Sequence, residues 1–142
     1  MVAEFHDGGL HFRYPENWQL DRQPTESGWT VSVQSPETAF LMVCLREDMP
    51  STNRLADAAL DALKEEYAEL EASDCVESLA GQPAVGHDIH FLSLDLPNTG
   101  WTRSFHSARG TVLILCQVND LELDRNEPVL RAICASMQVD EE

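Results

Sequence analysis

The sequence contains a single lysine, Lys64, in a basic complement of 9 residues set against 25 acidic ones, for a formal net charge of −16. Phosphate backbones and anionic bilayers are held by clustered Lys and Arg, so this surface repels both; neither nucleic acid nor a membrane is an expected partner. Long apolar runs are also missing. No stretch approaches the roughly 20 residues that span a bilayer, and the opening Met1-Val2-Ala3-Glu4-Phe5-His6 has neither the basic nor the apolar region of a secretory signal. The expected location is the cytoplasm. The four cysteines, Cys44, Cys75, Cys116 and Cys134, lie far apart with no C-x-x-C spacing. They read as reduced, buried, small hydrophobes rather than a disulfide framework.

Catalytic signatures are absent too: there is no G-x-S-x-G elbow, no Walker loop and no H-E-x-x-H. Gly8-Gly9 reads as a turn rather than a phosphate loop, because no helix N-terminus follows it. Cys44 and Cys116 sit in apolar runs, where burial keeps a thiol neutral and unreactive. The expectation is a protein without enzymatic activity and without a cofactor.

What is present is a globular pattern. With 43% hydrophobic and 24% charged residues, the chain is too apolar for disorder, and 142 residues suit one domain spanning 1–142. Only the closing Asp140-Glu141-Glu142 is expected to fray. Two continuous apolar runs, Ala39 to Leu45 and Val112 to Cys116, have strand length. A strand wetted on one face alternates apolar with polar residues, so a run without alternation predicts burial on both faces.

Around these runs the spacing predicts the other elements. Leu10 to Tyr14 alternates, Pro15-Glu16-Asn17 turns, and Trp18 to Arg22 returns, as in a hairpin; Trp29 to Gln34 alternates again. Ser51-Thr52-Asn53 offers N-cap oxygens. Leu55, Ala59, Leu63, Tyr67 and Leu70 then predict an amphipathic helix reaching about Ala72. Three further strands are predicted over Cys75–Leu79, Val85–Asp95 and Trp101–Arg109, with Pro97-Asn98-Thr99-Gly100 as a turn. Pro128 then opens a last helix carrying Val129, Ile133 and Met137 on one face. The order is four strands, a helix, four strands and a helix (ββββαββββα). Hairpin-length links make the sheet mainly antiparallel. The fold class is therefore α/β (α+β), a three-layer α/β/α sandwich with a helix on each face.

Tyr14-Pro15-Glu16-Asn17-Trp18 near the start, Gly81-Gln82-Pro83-Ala84 in mid-chain and the closing Ala135-Ser136-Met137 resemble the PsbP-like and Mog-like fold group. That group includes extrinsic photosystem subunits, a binder of the Ran GTPase and many bacterial members of unknown role. The resemblance implies the same fold and a non-catalytic binding module. It carries no functional residue onto this chain. The quoted residues also have plain folding roles: Pro15 ends a strand, Trp18 anchors the sheet, Gly81 admits positive φ and Pro83 sets a direction.

Three groupings could carry function. Imidazole and carboxylate ligate divalent metals, and the best trio is Asp88, His90 and His106, provided that neighbouring strands bring them together; His87 points to the opposite face from Asp88 and His90. Asp57, Asp61, Glu65 and Glu69 step down the first helix at spacing four. This is either a solvated face or a docking stripe for a partner with a basic surface. Trp101, Arg103 and Phe105 share one face of a strand, the composition of an interaction hot spot or of a core. The expected function is that of a non-catalytic protein-binding or adaptor domain, monomeric or dimeric. The alternatives are an acidic dimeric chaperone or immunity-type protein that masks a partner, and third a metal-dependent hydrolase.

Overall fold

The computed structural model describes residues 1–140. Five strands come first, β1 (Val2–Asp7), β2 (Leu10–Pro15), β3 (Gln19–Thr25), β4 (Gly28–Gln34) and β5 (Phe40–Arg46). Helix α1 (Thr52–Glu66) leads to β6 (Glu71–Leu79), β7 (Gln82–Ser93), β8 (Leu96–His106) and β9 (Thr111–Asn119). A 3-10 turn at Asp120–Glu122 enters α2 (Leu123–Ala135), and a short β10 (Gln138–Val139) follows. All pairings are antiparallel. They build a seven-stranded sheet, β3-β4-β5-β9-β8-β7-β6, and a three-stranded one, β1-β2-β10.

The two apolar runs lie side by side as β5 and β9, at the centre of the large sheet. Their burial differs. Val112, Ile114 and Cys116 of β9 are sealed beneath α2, and Leu113 is buried on the other face, towards α1. In β5, Leu41, Val43 and Leu45 are sealed, whereas Phe40, Met42 and Cys44 are only half-buried. The reason is the reach of α1, which packs on β7, β8 and β9. Leu60 and Leu63 of α1 meet Ile89 and Phe91, with Tyr67, Leu70 and Leu115 beside them. The opposite face is covered by α2 together with the three-stranded sheet, whose Phe5, Leu10 and Phe12 join Leu130 and Ile133 in the main core. One outer layer is thus a helix alone over part of the sheet, and the other is a helix plus a second sheet, which corrects the expected α/β/α layering.

The missing strands explain the rest. Residues Leu10–Tyr14 and Trp18–Arg22 do not form a hairpin: β2 pairs with β1 and β10, while β3 pairs with β4 in the other sheet. Pro15 to Trp18 is the corner between the sheets, closed by the Trp18 N–H donating to the Pro15 carbonyl at 3.0 Å and by burial of the Trp18 ring. Gly8-Gly9 is the β1–β2 turn, with φ of 60° and 83°; a Cβ on Gly8 would stand 2.7 Å from Nε1 of Trp29. The last strand ties down the C-terminal segment. The Asp140 N–H donates to the Gly9 carbonyl at 2.8 Å, and its carboxylate meets Nε2 of His6 at 3.0 Å, so Asp140 is not frayed; Glu141 and Glu142 lie outside the described residues.

Ser51 caps α1 as expected, its Oγ accepting from the Arg54 N–H at 3.1 Å. The helix ends at Glu66 rather than near Ala72. Tyr67 leaves helical geometry, and its ring stacks on Phe91 at a centroid distance of 4.2 Å. The β7–β8 turn falls on Leu94-Asp95, both at positive φ, and Pro97 to Gly100 run inside β8. A two-residue hairpin loop needs that backbone, but Leu-Asp carries none of the Asn or Gly that signals it. Pro128 lies inside α2 rather than at its first position. The N-terminal end of α2 is held instead by the Glu122 carboxylate, which accepts from the N–H groups of Thr38 and Ala39 and from Nδ2 of Asn126. No helix among the described residues is long and apolar enough to cross a membrane.

Candidate functional site

Asp57, Asp61 and Glu65 project from α1 into solvent, because the apolar positions Leu55, Ala56, Leu60 and Leu63 turn the opposite side of the helix onto the sheet. Glu69 is exposed as well, but it belongs to the turn after the helix, so the stripe on α1 has three members and not four. None of the four makes an ion pair among the described residues. Arginines elsewhere are engaged: Arg13 with Glu4, Arg22 with Asp7, Arg46 with Asp48, Arg103 with Glu77 and Asp88, Arg125 with Glu37, and Arg131 with Glu127.

The stripe borders a cavity. Between the first turns of α1 and the β6–β7 pair lies a hollow of about 160 Å³, lined by Asn53, Asp57, Asp74, Val76, Val85 and His87 among others. Strand alternation puts His87 on the α1 face of β7. Its Nε2 lies 3.3 Å from the Asp74 carboxylate, and its Nδ1 is buried without a hydrogen-bond partner. A larger cavity of about 370 Å³, at the other end of β6, takes in Glu69, Glu71, His90, Asp120, Phe91 and Leu92. Beside it the Thr99 hydroxyl donates to Asp120 at 2.7 Å and lies 3.3 Å from Nδ1 of His90.

Asp88, His90 and His106 do not converge. Asp88 and His90 pair with Trp101 and Thr99 on one face of the sheet, whereas His106 pairs with Thr111 at the far end of β8 and on the other face. Among the described residues no group of three or more His, Cys, Asp or Glu side chains is placed to hold a metal ion.

Arg103 is not a contact residue either. It is 2% exposed, and its guanidinium donates to Asp88 at 2.7 Å, to Glu77, and to the carbonyls of Thr102 (2.7 Å) and His87 (3.3 Å). Burial works against its charge, but the hydrogen bonds to Asp88 and Glu77 outweigh that cost and hold its pKa above the ordinary arginine value. Trp101 and Phe105 are core, with Arg131 stacked on the Trp101 ring at 3.7 Å. The shared face follows from the period of two, and of its two readings the core is the one the structure shows for Trp101 and Phe105; the burial of Arg103 corrects its expected role in partner contact.

Of the cysteines, Cys116 and Cys134 are buried with their sulfurs 3.7 Å apart, while Cys44 and Cys75 are half-buried. Burial pushes the Cys116 thiol well up. Sequence reading missed Asn53, Asp74 and the orphaned His87 nitrogen, because only the pairing of β6 with β7 and the seating of the first turns of α1 beside it bring them together.

No protein-family model matches the sequence, and no curated protein matches it. Solved structures do match. The chain is similar to the cyanobacterial PsbP (CyanoP) of Synechocystis sp. PCC 6803, with 13% identity and a TM-score of 0.66 over 97% of this chain and 92% of that one. It is similar to LpqN of Mycobacterium tuberculosis, a protein involved in cell envelope biogenesis, with 13% identity and a TM-score of 0.57 over 99% and 92%. A third is PA94 of Pseudomonas aeruginosa, of unknown function, with 9% identity and a TM-score of 0.57 over 99% and 98%. Identities this low speak to architecture alone, and they bear on the PsbP-like half of the expected resemblance. The chain shares the PsbP-like fold.

Proposed function

We propose that this protein is a non-catalytic binding domain of the cytoplasm that docks a protein partner with a basic surface on the acidic side of α1. The observation that carries the reading is charge left without a counter-ion: Asp57, Asp61 and Glu65 are exposed at one-turn spacing, while six arginines are paired elsewhere. Like charges at that spacing cost an isolated helix a few tenths of a kcal/mol per pair, which a basic partner relieves. The lack of a converged metal group among the described residues leaves the hydrolase reading without geometric support.

The test is binding of a lysine-rich peptide to the wild type and to the charge-reversed Asp57→Lys/Asp61→Lys/Glu65→Lys variant, at low and at high salt. Exposed pairs are worth about 0.2–1 kcal/mol each, so losing three weakens capture about tenfold at low salt and much less at high salt. Equal affinity for both proteins at low salt would refute the reading. A second reading, the acidic dimeric chaperone or immunity-type protein, has its own support in the half-buried row Phe40, Met42 and Cys44 on the part of the sheet beyond α1. A stable dimer in light scattering that dissociates on Met42→Glu favours it over the adaptor.

A further inference from the structure

The large sheet has two edges, and they are finished differently. At one edge β3 carries Pro24, which has no N–H to offer, and Arg22 ties the strand to the small sheet through Asp7 of β1 at 2.7 Å. At the other edge β6 has nine residues, Glu71–Leu79, without proline or glycine; it pairs with β7 in unbroken register, and seven of the nine are exposed. Val76 is 76% exposed. The outer side of such a strand presents a row of backbone N–H and C=O groups ready to pair with another chain.

Only acidic side chains guard it. Glu71, Asp74 and Glu77 lie along β6, Glu77 being already held by Arg103, and the net charge of −16 sets any two copies of the chain against each other. That pattern rejects a second copy of this edge and favours a cationic strand. The cavity on the α1 face extends the match. Along an added strand alternate side chains point towards α1. There Asp57 and Asp74 are carboxylate acceptors, and the wall carries His87, which is 8% exposed with Nδ1 lacking a partner. An ammonium or guanidinium group satisfies acceptors of this kind, while its aliphatic stem lies across Val76 and Val85.

We infer that the β6 edge receives an extended basic segment of a partner protein as an eighth strand of the sheet, with one lysine or arginine side chain seated in the cavity between Asn53, Asp57, Asp74 and His87. This rests on the reading of a basic partner and adds how that partner is held: main-chain pairing supplies affinity, and the cavity supplies selection.

The test uses the full chain and a short peptide of alternating lysine and valine, with two analogues N-methylated at the odd or at the even positions. All three carry the same charge, but an added strand turns only alternate N–H groups towards β6. The expected result is that one analogue binds as the parent does and the other at least about tenfold more weakly. Slowed hydrogen exchange at β6 amides and slower alkylation of Cys75 accompany the parent. Asp57→Asn/Asp74→Asn weakens the parent peptide by a similar factor. If both analogues bind like the parent, or β6 amides gain no protection, edge addition is overturned while the basic-partner reading stands. If none of the peptides binds even at low salt, both fail. Concentration-dependent protection of β6 without any peptide assigns the edge to a second copy and overturns the inference.

Discussion

Replacing Arg103 tests whether the buried guanidinium is a structural tie. In Arg103→Met the stem packing against the sheet remains and the donors go. Glu77 and Asp88 lose their cation, but their side chains are 42% and 44% exposed, so water replaces it cheaply. The carbonyls of Thr102 and His87 each lose a donor, about 1 kcal/mol apiece. Relief of the guanidinium's own desolvation offsets most of the lost ion pairing, leaving a net loss of at least about 2 kcal/mol. The opposite perturbation is harsher. Glu77→Gln/Asp88→Asn keeps a cation that is 2% exposed and removes both counter-charges, the situation that costs about 3–5 kcal/mol. Urea unfolding followed by Trp fluorescence reads both. With a slope of about 1–3 kcal/mol per molar urea, the double variant loses at least about 1 M in midpoint and Arg103→Met less. A double variant more stable than Arg103→Met would refute the reasoning, since it would mean that the cation needs no counter-charge where it sits.

Alkylation under native conditions should modify the half-buried Cys44 and Cys75 first and Cys116 last, because burial both shields the Cys116 thiol and keeps it protonated; peptide mass mapping at timed points gives the order. Glu37 titrates below the ordinary glutamate range because the Arg125 guanidinium donates to it. Its folded pKa is depressed, so its contribution to stability is complete above the unfolded value and is lost as the pH falls through the folded one. Carboxyl NMR titration should show that low value, and Arg125→Gln should move it upward.

How much was legible follows from the range of each signal. The cap at Ser51, the Gly8-Gly9 turn, the opposite facing of His87 and Asp88, and the shared face of Trp101 and Phe105 depend on residues a few positions apart, and local physics suffices for them. The Pro15 corner was misread as a hairpin because the partner of β2, the strand Val2–Asp7, mixes Glu4, His6 and Asp7 with its apolar residues and gives no run to notice. The β7–β8 turn was misplaced because Leu94, a residue that disfavours positive φ, takes its first position, and Asp95 alone signals it. Full burial of Ala39–Leu45 was over-read, since continuity of apolar side chains reports what a strand tolerates, not where a fifteen-residue helix comes to rest. The metal trio failed on register, which no single strand contains.

The chain's path explains why the acidic helix and the open edge share one flank. From β5, near the sheet's centre, α1 carries the chain across β9, β8 and β7, and the next strand must start beyond them. The sheet then fills inward, β6 to β7 to β8 to β9, until β9 closes on β5. The crossover thus leaves β6 outermost and lays the first turns of α1 beside its middle, so Asp57 and Asp74 line one hollow. Two carboxylates and an unpartnered imidazole nitrogen collected this way have no cation among the paired arginines to relieve them. The row Phe40, Met42 and Cys44 lies beyond α1, and its cross-strand neighbours, Gln34, Ser32 and Thr30 on β4 and Gln117, Leu115 and Leu113 on β9, carry no charge. A basic strand therefore gains most on the β6 flank, where main-chain pairing and charge act together, whereas an apolar partner would gain most over β5. Substituting Asp74 and Met42 separately distinguishes the two surfaces, because neither residue touches the element that the other would engage.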